Sequence, residues 1–363
     1  MSYPSVDQLQ KLLSETVFSH TASSKKAAGR ALGTIVEIIG FYLLKAWGYE
    51  YNMAIEKRLP EYGNSEIDHN VEFTFHRSRL VKTIPFPDLN SISSTKIFNN
   101  AELQAPFVKL KTAKSLLKQN VIKNACLVAD TETSFCNAYI SMDRENIHIY
   151  ELSNNPYAMF ECKRVGVEEG MTKGPQTIEK AKQGAYVART VSSIQRVWFR
   201  DGRIGGAIER DGKFDFYDDY YALIDKAILE RDKELLKDFI LTVGIVSNHG
   251  NWFTADHQNK ELKVLSQSYD WLLFLTDKGL TAFIQDIMGS SAAFVAVKNA
   301  FESSYIEGKK VNRFTKTNMD NEADLILTRY FSENLAEIES WFNIIAPRER
   351  NIGELNAMLA NLK

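Results

Sequence analysis

The apolar run from Tyr157 to Phe160 delivers Glu161 and Lys163, one residue apart, in the stretch FECKRV at 160–165. Side chains two positions apart on a strand point the same way. The order therefore sets an acid and an amine together at the end of a buried strand. Mg²⁺ takes hard oxygen ligands, keeps several waters and needs only one or two carboxylates plus a phosphate. A neighbouring ammonium can orient or help deprotonate an attacking water and balance charge on a pentavalent phosphorus. The chemistry that suits this pair is Mg²⁺-assisted phosphodiester hydrolysis, which also requires a second carboxylate from a neighbouring strand.

Context singles the pair out. Asp211/Lys213, Glu261/Lys263 and Glu307/Lys309 have the same spacing. Asp211-Gly212 reads as a hairpin turn, Glu307-Gly308 as a helix end, and Glu261 follows a polar run. Asp68, in GNSEIDHNVEF at the start of a strand, is the leading second ligand; Asp143, Glu151 and Asp88 are its rivals. Glu37 lies among Gly33, Phe41 and Leu44 on a helix face, where a carboxylate is costly without a cation. Gln176, Lys180 and Gln183 fall at i, i+4 and i+7 on the helix after the Glu161 strand, a polar face that can look onto the same site.

Stepping outward to the elements, residues 23–47 read as a long helix striped by Leu32, Val36, Ile39 and Leu43, and Gly48 stops it. Strands are expected at YNMAIEKRL and IDHNVEFTFH, with a turn between them. A lysine-rich helix is expected near 107–120. Strands then follow at NACLVA, FCNAYISM, NIHIYEL and YAMFECKRV, a helix at GPQTIEKAKQGAYVARTV and a strand at SIQRVWF. Further on come a helix at 217–237, strands FILTVGIVS and WLLFL, and helices near 279–305, 320–345 and 351–362. Crossovers beside hairpins predict an α/β fold, a mixed central sheet flanked by helices with a helical C-terminal part. The organisation expected is a core over 1–210 with an insertion at about 77–150, and additional strands and helices over 211–363 packed on the same domain.

Composition narrows the classes. The 363 residues carry a formal net charge of −2, so nucleic-acid binding must rely on local basic patches. Lys111, Lys114 and Lys118 form one candidate, Lys309, Lys310, Arg313 and Lys316 with Phe314 another. Three scattered cysteines make no disulfide framework or metal spacing. The polar start does not resemble a signal peptide, and no apolar run approaches the ~18 residues of a membrane span. A cytoplasmic location is expected. His249 and His257, eight apart around Trp252, read as a turn with a buried Trp252 rather than a zinc site. P-loop, dinucleotide, G-x-S-x-G and H-E-x-x-H signatures are absent.

In order, a helix with an internal glutamate, a strand, a turn with the Ile67-Asp68 pair, a strand ending in Glu161-x-Lys163 and a following helix resemble the PD-(D/E)XK nuclease superfamily over roughly residues 23–200. The resemblance implies that Asp68 and Glu161 are metal ligands and Lys163 the catalytic lysine. Glu37 matches the acid that some members carry on the first helix, and Gln183-Gly-Ala-Tyr186 is similar to a Gln-x-x-Tyr element of exonuclease-like members. Two departures stand. No proline precedes Asp68, and 92 residues (69–160) separate it from Glu161. Either 77–150 is an insertion or a nearer acid is the ligand. The chain's size is most like a type II restriction endonuclease. That implies a Mg²⁺-dependent homodimer cutting double-stranded DNA to 5′-phosphate ends, with a paired DNA methyltransferase in the cell. The alternatives are a repair or recombination nuclease without sequence preference, and a catalytically inactive DNA-binding protein of the same fold.

Overall fold

The computed structural model describes residues 6–15, 18–19, 24–61, 64–86, 90–165, 176–248, 251–288, 291–305 and 312–363. The chain opens with α1 (Val6–Glu15) and α2 (Ser24–Ala46), then β1 (Met53–Glu61) and a long β2 (Asn64–Pro85). A tip region follows, comprising β3 (Ser91–Ser93), α3 (Ser94–Asn100), β4 (Val108–Lys109), β5 (Ser115–Lys118), β6 (Val121–Lys123), β7 (Cys126–Asp130) and β8 (Ser134–Ile140). The chain returns along β9 (Asn146–Arg164) and continues through α4 (Gln176–Val191), β10 (Ile194–Trp198), β11 (Ile204–Arg210) and β12 (Lys213–Tyr217). Next come α5 (Tyr220–Glu230), β13 (Leu241–Ser247), α6 (Lys260–Ser266), β14 (Trp271–Leu275), α7 (Asp277–Met288) and α8 (Val295–Ser304). The last elements are β15 (Asn318–Asp320), α9 (Asn321–Glu333), α10 (Leu335–Glu339), β16 (Phe342–Ala346) and α11 (Ile352–Leu362).

The fold is α/β. A nine-stranded mixed sheet runs β16-β14-β13-β9-β8-β7-β4, with β2 pairing both β9 and β1. β9 sits at its centre, parallel to β13 and antiparallel to β2 and β8. Leu32, Ile35, Val36, Ile39 and Leu43 of α2 are fully buried in the main core. By length and composition Ala27–Ala46 is apolar enough to cross a membrane, contrary to the expectation that no run approaches that length, yet two thirds (67%) of its best window is buried within the protein.

Two glycines let helices approach β9 from both sides. A Cβ on Gly40 of α2 would lie 2.7 Å from Cys162 Sγ. One on Gly184 of α4 would lie 2.6 Å from Met159 Cε and 3.1 Å from Glu161 Oε2. Both contacts fall at the strand end that carries Glu161 and Lys163.

The 77–150 region is built differently from the expectation. β2 and β9 run on as one ribbon, paired from Ser78–Leu152 to Pro85–Asn146, and β8 of the tip lies alongside β9 from Ser134–Ser153 to Ile140–Ile147. NIHIYEL and YAMFECKRV are accordingly a single strand. The helix expected near 107–120 does not form. Gln119 and Asn120 have φ of 52° and 62° and turn β5 into β6, a two-residue hairpin that needs positive φ at both central positions. Lys111, Lys114 and Lys118 remain exposed, on a loop and a strand rather than one helix face. Asp211 and Gly212, with φ of 52° and 73°, make the expected hairpin turn between β11 and β12. Trp252 is exposed, and its neighbour Phe253 is the buried one.

Candidate active site

The ladder between β2 and β9 opens at Phe73–Phe160, the last paired residues on this side. Backbone groups at such an opening need other partners, and two glutamates supply them. The Glu72 N–H donates to Glu161 Oε2 at 3.3 Å, and the Cys162 N–H donates to Glu72 Oε2 at 2.5 Å. Each carboxylate caps the strand that carries the other, which fixes both without a flexible tether. Both residues are buried, at 3% and 6% exposure.

Two lysines complete the arrangement. Lys163 Nζ lies 2.7 Å from Glu161 Oε1 and 3.9 Å from Glu72 Oε2. Lys316 Nζ lies 2.6 Å from Glu72 Oε1, 3.1 Å from Glu37 Oε2 and 3.7 Å from Glu56 Oε1. Glu37 reaches in from α2, so its side chain finds the cation that its apolar neighbours demanded. Glu56 stands on β1 with φ of 52°, a left-handed conformation that a non-glycine strand residue rarely holds.

Charge is unbalanced here. Glu37, Glu72 and Glu161 set three buried or half-buried carboxylates against two ammonium groups. Burial pushes Glu37 up to about 7, and the Glu72 carboxylate adds to the shift against the pull of Lys316. Burial likewise raises Glu161, opposed first by Lys163. Burial alone would lower Lys163, but Glu161 and Glu72 outweigh it and hold the ammonium above its usual range.

The structure thus brings together Glu37, Glu161 and Lys163. It does not bring in Asp68, which is exposed, pairs with Arg58 at 3.3 Å and lies four residues, ~13 Å, along β2 from Glu72. Among its rivals, Glu151 is engaged by Ser134 and Arg79 on the ribbon, and Asp143 by Ser141 in a tip turn. Asp88 lies outside the described residues. Glu72 is the acid that sequence reasoning missed. Its signal was present as an acid between Val71 and Phe73, inside the strand expected from IDHNVEFTFH.

Of the helix residues, Gln183 is exposed on α4, and the side chains of Gln176 and Lys180 lie outside the described residues. Lys309 and Lys310 also lie outside them. Arg313 pairs with Asp320 at 3.3 Å, and Lys316, read from sequence as part of a basic surface cluster, is buried among the acids. Tyr186 donates to Glu61 Oε1 at 3.2 Å on the same side of the sheet.

The donor set fits a hard divalent cation in kind, with carboxylates converging at a fixed point and negative charge in excess. As arranged, however, no three histidine, cysteine, aspartate or glutamate side chains among the described residues are placed to hold one together. The Glu72 oxygens are occupied by Lys316 and by the Cys162 amide. Compared with known proteins, the chain matches no family model, no curated protein and no solved structure.

Proposed function

We propose that this protein is a Mg²⁺-dependent endonuclease of double-stranded DNA, built on the PD-(D/E)XK plan and acting as a restriction-type homodimer. The observation that carries the reading is the opening of β2 from β9, where Glu72, Glu161 and Lys163 converge with Glu37 beside them. In this reading Glu72 takes the role that the resemblance gives to Asp68, and Glu72 and Glu161 hold the metal. The chemistry a Mg²⁺ held by them would supply is electrophilic polarisation of the scissile phosphate and a lowered pKa of water. Lys163 orients the attacking water and keeps a positive charge beside the phosphate as its negative charge grows. The strand ends restrict these side chains, which favours in-line attack over random approach. Two lysines and a divalent ion would then offset three carboxylates and one phosphodiester charge, which leaves the site neutral. Exposed Lys111, Lys114 and Lys118 are available to backbone phosphates.

The occupied Glu72 oxygens favour a second reading, a DNA-binding protein of this fold that does not cut. Plasmid digestion with Mg²⁺ or with EDTA separates the two. Wild type is expected to give discrete, metal-dependent fragments. Lys163→Ala and Glu72→Gln are each expected to lose at least ~100-fold in rate while still retarding DNA. Binding without cleavage by wild type would favour the second reading, and a metal-dependent smear would remove sequence specificity.

A further inference from the structure

Lys316 reaches the acid cluster from far along the chain, on a turn held by the tip region. The turn closes on itself: the Thr315 N–H donates to Asn318 O at 2.8 Å, and the Asn318 N–H to Thr315 Oγ1 at 3.0 Å. β15 pairs with β6 of the tip's four-stranded sheet. Asn124, just past β6, donates its backbone N–H to Thr317 O and its side-chain amide to Lys316 O, both at 2.9 Å. The turn is therefore pinned to the tip by strand pairing and by Asn124, and the Lys316 side chain is inserted with only 9% of it exposed. Lys163, on the central strand, keeps 35% of its side chain exposed. One lysine faces the open side of the site, while the other fills its closed side.

We propose that Lys316 is a tethered counter-cation, which the tip region places among Glu72, Glu37 and Glu56 and which a divalent ion must displace to bind. An ammonium at 2.6 Å from Glu72 and 3.1 Å from Glu37 occupies the oxygens that a hard cation would take. It neutralises the carboxylates enough for them to be buried and competes for them at the same time. A lysine is suited to this, because its stem is flexible and its charge is a compact point, whereas an arginine fork binds two carboxylate oxygens at once. This inference rests on the reading of the cluster as a divalent-cation site.

The experiment is Mn²⁺ titration of the full chain without DNA, followed by the electron paramagnetic resonance of free Mn²⁺. Wild type, Lys316→Met and Lys316→Arg are compared, with circular dichroism to check folding. Removing a competitor is expected to tighten Mn²⁺ binding about tenfold or more in Lys316→Met, and to leave Lys316→Arg no tighter than wild type. An ordinary structural ion pair would give the opposite sign, with Lys316→Met binding equally or more weakly, and that result overturns the proposal. Should Lys316→Met fail to fold, Glu37→Gln/Lys316→Met is compared with Glu37→Gln, and the same tightening is required. If folded wild type and folded Lys316→Met both bind no Mn²⁺, the cation-site reading falls and takes this proposal with it. If wild type binds and Lys316→Met binds no tighter, only the displacement idea falls.

Discussion

Two groups of buried charges draw side chains from α2, and they treat charge differently. Around Asp324 the side chains of Tyr42, Lys45 and Arg144 converge at 2.8, 3.3 and 2.8 Å, and Glu50 sits 3.1 Å from Lys45. Two acids meet two bases there. Burial by itself would raise Asp324, yet Lys45 and Arg144 hold its carboxyl below the ordinary range. At the opening of β2 from β9, three acids meet two bases, and Glu37 is driven the other way, up to about 7. Both sites incur the desolvation cost of burying ions. A cluster that only ties α9 to α2 and to the tip can close its charge. One that keeps an excess of acids leaves its charge unmet, and strongly shifted groups of this kind gather at functional sites.

Substitutions can break this comparison. The largest effect is expected from Asp324→Ala, which takes the carboxylate from Arg144 and leaves Lys45 with Glu50 alone. It should cost ~3–5 kcal/mol in urea unfolding, measured at neutral pH. If Asp324→Ala were tolerated within ~1 kcal/mol, the balanced cluster would not be the structural one.

Glu37→Gln should move stability in the opposite direction, and with a pH signature. The native carboxyl titrates near 7 against an ordinary 4.5, so between these values the folded chain binds more protons than the unfolded one. Folding stability from this group is therefore lost as pH rises from about 4.5 to 7. The variant should exceed wild type by about 2–3 kcal/mol at most at pH 8, and the gap should close toward pH 4. Urea midpoints at those two pH values decide it, and a constant gap would mean that Glu37 does not titrate as its surroundings demand.

Asp68→Asn is the smallest change. An exposed pair with Arg58 contributes ~0–1 kcal/mol, and the carboxyl lies away from the acid cluster. Stability and plasmid cleavage should both stay within about twofold of wild type. A loss of cleavage as large as that of Glu72→Gln would return the second ligand to Asp68.

Much of the frame was legible in the chain. The 3.6-residue stripe gave α2 its bounds, and the continuous apolar runs of β13 and β14 announced strands buried on both faces. Glu161 and Lys163 were legible because an apolar strand leads directly into them. Glu72 was not, for a physical reason. The alternation Val71-Glu72-Phe73-Thr74-Phe75-His76 reads as a strand with one dry and one wet face, but Thr74 and His76 are as buried as the phenylalanines. Alternation tells which residues share a face and not what covers that face. Lys316 was hidden by its neighbours, since a run of basic residues ordinarily marks a solvated surface. The spacing of Lys111, Lys114 and Lys118 suits a helix, yet it falls where Gln119 and Asn120 take positive φ and fold the segment back on itself.

The distance in sequence between Lys316 and its acids also bears on how the chain is made. Glu37, Glu72 and Glu161 leave the ribosome well before Lys316, because synthesis runs from the N-terminus. Until the later segment emerges, the centre of the sheet carries clustered carboxylates with only Lys163 to offset them. The acid cluster therefore gains its second counter-cation only after the strands that carry the acids have been made, and its completion comes later in the chain's synthesis than theirs.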